Sequence, residues 1–145
     1  MTMSDMLTAA PGRSLARTAL IAGLLGFAPA AGAQTVSDVQ FEAGNYGTMI
    51  SGTIIGDEYI DYRLGASGGQ ELFVEMMPLD GGSAVYFNIL PPGSSDEAIY
   101  NSSVGGDVTT VQLPSDGTYT IRVYQMGNAA DSGQTSGFNI DLSIQ

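Results

Sequence analysis

The chain has 145 residues and a formal net charge of −11, with 15 Asp or Glu against 4 Arg, and it contains no Lys, His, Cys or Trp. Without His or Cys there is no Ser-His-Asp or Cys-His catalytic arrangement, no usual zinc site and no disulfide. So acidic a surface repels nucleic acid and anionic lipid, which makes both poor partners, and it attracts a cationic protein. In chain order, Arg13 and Arg17 come first, followed by an apolar stretch from Thr18 to Ala30 and the small-x-small pattern Ala31-Gly32-Ala33. The apolar run of about 13 residues falls short of the roughly 20 that a membrane-spanning helix needs. Residues 1–33 therefore read as a cleaved signal peptide, leaving 34–145 as a single exported domain with no membrane span. That domain keeps only Arg63 and Arg122 against 14 carboxylates, a net charge of −12.

From Val36 onward the hydrophobic pattern has period two. Ile60, Tyr62 and Leu64 alternate with Tyr59, Asp61 and Arg63, and Leu72, Val74 and Met76 alternate with Glu71, Phe73 and Glu75. Val85, Phe87 and Ile89 make another apolar row, as do Tyr119, Ile121 and Val123, opposite Thr120, Arg122 and Tyr124. Phe138, Ile140, Leu142 and Ile144 close the series. Each row predicts a strand with one buried face. Turn residues separate them: Gly56-Asp57, which suits a tight hairpin, then Gly68-Gly69, Gly81-Gly82, Pro91-Pro92-Gly93, Gly105-Gly106 and Pro114-Ser115-Asp116-Gly117. The expected strands are 39–42, 48–55, 58–65, 70–77, 84–90, 97–100, 108–113, 118–126 and 136–144, with 34–38 a frayed terminus. Eight or nine short strands and no helical period predict an all-β fold, a single antiparallel β-sandwich of jelly-roll type.

Catalytic ingredients are thin. Asp57-Glu58 and Asp96-Glu97 are adjacent pairs, and neighbours on a strand point to opposite faces, so neither pair can flank a scissile bond. They read as solvated turn charges, and the chain reads as a non-enzyme without a cofactor. Asp80, Asp96, Glu97, Asp107 and Asp131 offer oxygen ligands for a weak calcium site, although no segment matches an EF-hand loop. Gly65-Ala66-Ser67-Gly68-Gly69 has neither the Lys nor the helix of a phosphate loop, and Asn101-Ser102-Ser103 matches the glycosylation sequon only at the level of chance.

The tyrosines are more informative. Tyr59 and Tyr124 fall on the outward sides of their strands, and Arg122 shares the outward side with Tyr124. Tyr and Arg concentrate at the centres of interfaces because they combine large contact area with hydrogen bonding. The competing reading is ordinary cross-strand packing, with Arg122 paired to a nearby carboxylate.

Several segments together carry a resemblance: Tyr59-Ile60-Asp61-Tyr62-Arg63-Leu64, Gly69-Gln70, Tyr86-Phe87-Asn88-Ile89-Leu90-Pro91-Pro92-Gly93-Ser94, Ala98-Ile99-Tyr100, Leu113-Pro114-Ser115-Asp116-Gly117 and Tyr119-Thr120-Ile121-Arg122-Val123-Tyr124-Gln125-Met126. In order and spacing they resemble the periplasmic inhibitors of g-type (goose-type) lysozyme, over about residues 39–144. The shorter matches also fit prepeptidase C-terminal β-sandwich modules, whose implied role is non-catalytic binding, in some cases calcium-dependent. The inhibitor resemblance implies a periplasmic, or secreted, β-sandwich that plugs the cleft of a g-type lysozyme and protects peptidoglycan. It implies a surface built from Tyr59 and loops 91–97 and 127–134, with Arg63, Arg122 and Tyr124 as further contacts. In the family, the loop after the Tyr119–Met126 segment usually reads Met-Arg-Ser-Ala-Ala-Arg-Arg, and its arginines reach the enzyme's catalytic carboxylate. Here the loop is Met126-Gly127-Asn128-Ala129-Ala130-Asp131-Ser132, so Gly127 and Asp131 stand in place of arginines. That contact is not carried over.

Overall fold

A computed structural model describes residues 34–79 and 84–145. The expected signal peptide at 1–33, Asp80 and the Gly81-Gly82 turn lie outside the described residues. Nine strands are described: β1 (Gln34–Asp38), β2 (Gly47–Ile55), β3 (Tyr59–Ala66), β4 (Glu71–Pro78), β5 (Val85–Leu90), β6 (Tyr100–Asn101), β7 (Val108–Gln112), β8 (Gly117–Gln125) and β9 (Thr135–Ile144). They form two facing sheets, β1-β3-β8-β5-β6 (sheet A) and β2-β9-β4-β7 (sheet B). The period-two rows meet between the sheets. Phe87, Ile89, Tyr119, Ile121 and Val123 from sheet A and Ile54, Leu72, Val74, Phe138, Ile140 and Leu142 from sheet B are all fully buried. Burying one such large apolar side chain contributes roughly 1.5–3 kcal/mol, so these rows dominate the stability of the sandwich. Burial also raises the Tyr62 phenol above its ordinary value of 10.0.

The strands expected from 48 onward are present to within one residue, apart from 97–100, which shrinks to β6. The path between them differs from expectation. Except at β5–β6, each connection crosses from one sheet to the other. The turn at Gly56-Asp57 is tight, with Gly56 at φ 56° and the Glu58 amide donating to the Ile55 carbonyl (3.0 Å). It is an arch and not a hairpin: β2 pairs with β9 and β3 with β8. Turn chemistry is local and cannot tell whether the strands on either side pair with each other.

The N-terminal expectation is also corrected. Residues 34–38 are not frayed but form β1, which runs parallel to β3, the one parallel pair in otherwise antiparallel sheets. All five residues are exposed, so no apolar pattern advertises them. Polar ties hold them instead, Gln34 to Asp61 and Asp38 to Arg63. Residues 39–42 are not a strand, although Val39 extends the ladder by one bond to the Arg63 carbonyl (2.8 Å). Two single-turn helices, α1 (Ser102–Gly105) and α2 (Gly127–Asp131), are too short to leave a helical period in the sequence.

One end of the sandwich is closed by backbone. The fully buried Tyr119 donates its hydroxyl to the Ser115 carbonyl (2.7 Å), and the Gly68 and Gly69 amides bond Asp116 Oδ1 and the Leu113 carbonyl (2.7 Å each). At the other end, buried Gln125 donates to the Gln134 carbonyl (2.7 Å) and to the Gly56 carbonyl (3.3 Å), and accepts from the Ser136 hydroxyl (2.7 Å). The Gly56 amide also donates to the Gln134 carbonyl (2.9 Å). These bonds clamp the α2 loop onto the β2–β3 arch, so both are held beside the outer face of sheet A.

Candidate binding face

Strand parity sends the odd residues of β3 and the even residues of β8 and β5 to the outside of sheet A. Register then sorts them into rows. Tyr59, Tyr124 and Tyr86 lie directly across from one another, and Asp61, Arg122 and Asn88 form the next row. The Tyr86 and Tyr124 rings are 6.2 Å apart, and the Tyr124 hydroxyl donates to Asn88 Oδ1 (3.0 Å). All three tyrosines are half-buried, so each keeps some surface for a partner.

Arg122 is held on three sides. Its Nε and Nη2 donate to Asp61 Oδ1 (2.7 Å) and Oδ2 (2.9 Å), and its Nη1 donates to the Ser95 carbonyl (2.9 Å). The guanidinium carbon sits 4.6 Å from the centre of the Tyr59 ring, a cation–π contact. The Asp61 hydrogen bond raises the Arg122 pKa further above its ordinary value, against the lowering effect of burial. The Ser95 bond brings the 91–97 loop onto this face.

Two concavities follow the face toward the clamped end. One, of about 330 Å³, is lined by Asp57, Tyr59, Asn88, Arg122, Tyr124 and Gln125. The other, of about 480 Å³, lies between the β2–β3 arch and α2, and is lined by Ile55, Gly56, Asp57, Glu58, Ala130, Asp131 and Gly133. Asp57 borders both, so the surface continues from Ser95 through the tyrosine row to α2. Gly127 opens α2 with φ 61°, a left-handed conformation that a side chain adopts only under strain.

Of the residues singled out from sequence, Tyr59, Arg122 and Tyr124 come together around the first concavity, Asp131 lines the second, and Gly127 begins the helix beside it. Arg63 is not brought in. It lies toward the sheet edge, where Nη2 meets Asp38 Oδ1 (2.8 Å) in an exposed pair. Sequence reasoning gave no role to Asp61, Gln34, Tyr86 or Asn88. Parity put Asp61 on the outer side, but only register shows what lies across from it. Among the described residues, no group of three or more Asp or Glu is placed to hold a metal ion, and no helix is long and apolar enough to cross a membrane.

No family model matches the chain. A curated relative, the inhibitor of g-type lysozyme from Escherichia coli (strain K12), is 28% identical over 133 residues, 92% of this chain and 98% of that protein. The crystal structure of PliG from Aeromonas hydrophila, described as a periplasmic lysozyme inhibitor of g-type lysozyme, is 33% identical, with a TM-score of 0.73 over 79% of this chain and 100% of its own. The pre-peptidase C-terminal domain of a collagenase from Bacillus anthracis shares the fold alone, at 12% identity and a TM-score of 0.51 over 81% of this chain and 100% of that domain.

Proposed function

This chain belongs to the family of periplasmic inhibitors of g-type lysozyme, and we propose that it binds a g-type lysozyme across the outer face of sheet A and blocks its cleft without catalysing a reaction. The observation that carries the reading is 33% identity spanning the whole of a solved inhibitor. The chain acts in the periplasm, after removal of residues 1–33, and shields peptidoglycan there. Its partner is cationic: a domain with 14 carboxylates and two arginines steers a positive enzyme toward itself, up to about 10⁸–10⁹ M⁻¹s⁻¹ at low salt.

The contact differs from the family's loop-arginine mode. Gly127 and Asp131 bring no cation to the enzyme's catalytic carboxylate, and Asp131 opposes one. Arg122 is already engaged with Asp61. Tyr59 and Tyr124 therefore supply the central contacts, with Arg122 behind them, the 91–97 loop on one side and α2 on the other. Half-buried tyrosines suit this role because they offer wide contact at little entropic cost.

The test is clearing of peptidoglycan by a g-type lysozyme in the presence of the purified protein, with c-type and i-type enzymes in parallel. Lysis by the g-type enzyme slows at micromolar excess. Undiminished g-type lysis at that excess rejects the proposal.

A further inference from the structure

We infer that Asp61 is a positioning residue for the binding face, tying the N-terminal strand to Tyr59 and the 91–97 loop through Arg122. The inference deepens the inhibitor reading and rests on it for one of its two tests. Asp61 points away from the core, yet it is only 5% exposed. Its cover comes from two other strands. Gln34 of β1 donates Nε2 to Oδ2 (2.8 Å), and Arg122 of β8 grips both oxygens. Arg122 in turn holds the Ser95 carbonyl and lies over Tyr59. One carboxylate thus gathers four stretches of chain, at 34, 59–61, 95 and 122.

Such a pair does little for stability, because removing both charges from water offsets their attraction. What it fixes is orientation. A guanidinium held along one edge by a carboxylate and at another nitrogen by a carbonyl cannot turn. Tyr59 and the 91–97 loop are then presented in one arrangement before any partner arrives, and the cost of ordering them on binding falls.

The experiment uses Gln34→Ala and Asp61→Asn in the processed protein, with Ser51→Ala as control. Ser51 makes a side-chain bond of similar length to Asn139 on the opposite sheet (2.7 Å), in an exposed position away from this face. In the free protein, NMR reads solvent exchange of the Arg122 Nε–H and the line widths of the Tyr59 ring. Both variants speed the exchange and broaden the ring, Asp61→Asn the more, and Ser51→Ala does neither. Unchanged signals in both variants overturn the inference, whatever the protein binds. On a g-type lysozyme, Asp61→Asn raises the dissociation rate roughly tenfold, the scale expected for two side chains that must be ordered on binding, with the association rate kept. A lowered melting temperature with an unchanged dissociation rate marks a purely structural role and also overturns it. If the unaltered protein binds no g-type lysozyme, the inhibitor reading fails, and the NMR result alone decides the positioning role.

Discussion

The two outer faces of this sandwich are built from the same strand geometry and are organised very differently. Outside sheet A, a tyrosine row, a half-buried ion pair and a docked loop lock onto one another. Outside sheet B, Met49, Asp141, Glu75 and Val108 stand in a row, with the Asp141 and Glu75 carboxylates directly across from each other and the two apolar ends exposed. Like charges placed so are destabilising, and among the described residues no cation lies on that face to relieve them. Both arginines among the described residues lie on sheet A. The contrast separates a face whose polar and aromatic side chains are tied to one another from one whose facing carboxylates repel, although the acidity of the whole chain gives no hint of it.

The contrast can be broken most severely at the tyrosines. Tyr59→Ala and Tyr124→Ala each weaken binding to a g-type lysozyme by roughly 30-fold or more, the scale of an interface hot spot. Phe73→Ala, on the outer side of β4, leaves it unchanged; isothermal titration of each variant checks this. A smaller effect sharpens the comparison at the clamped end. Asp131→Arg removes a repelling charge and restores a family arginine, and it strengthens inhibition severalfold in a clearing assay. Gly127→Arg gains less, because its left-handed backbone sets about 1–2 kcal/mol of strain against the new contact. The smallest change lies on the other face. Asp141→Lys turns a repelling cross-strand pair into an attracting one and stabilises the fold by about 0.2–1 kcal/mol in urea unfolding, with the dissociation rate from lysozyme unaltered.

Sequence patterning revealed one level of this architecture and concealed the next. Alternation named the inward rows correctly, because burying one side of a strand leaves a periodic trace in the chain itself. It also put Tyr59, Arg122 and Tyr124 on outward sides. It could not show that Tyr59 and Tyr124 are neighbours, since register between distant strands leaves no local mark. The same blindness turned the Gly56-Asp57 arch into a hairpin. β1 escaped notice because it is held by side-chain amide and carboxylate bonds and buries no apolar residue. The motif resemblance located the 127–134 loop, but its clamp through Gln125 depends on a buried glutamine that the inward row of β8 does not distinguish from an ordinary core position.

The alternation of the chain between the two sheets bears on the order in which the fold can assemble. Ser51 of β2 finds its partner Asn139 on β9 only 88 residues downstream, and almost no strand can pair with its neighbour in sequence. Assembly so dependent on distant segments is slow, and its early stages gain little. A nascent polypeptide of this design cannot complete either sheet until β8 and β9, inner strands of sheets A and B, have been made.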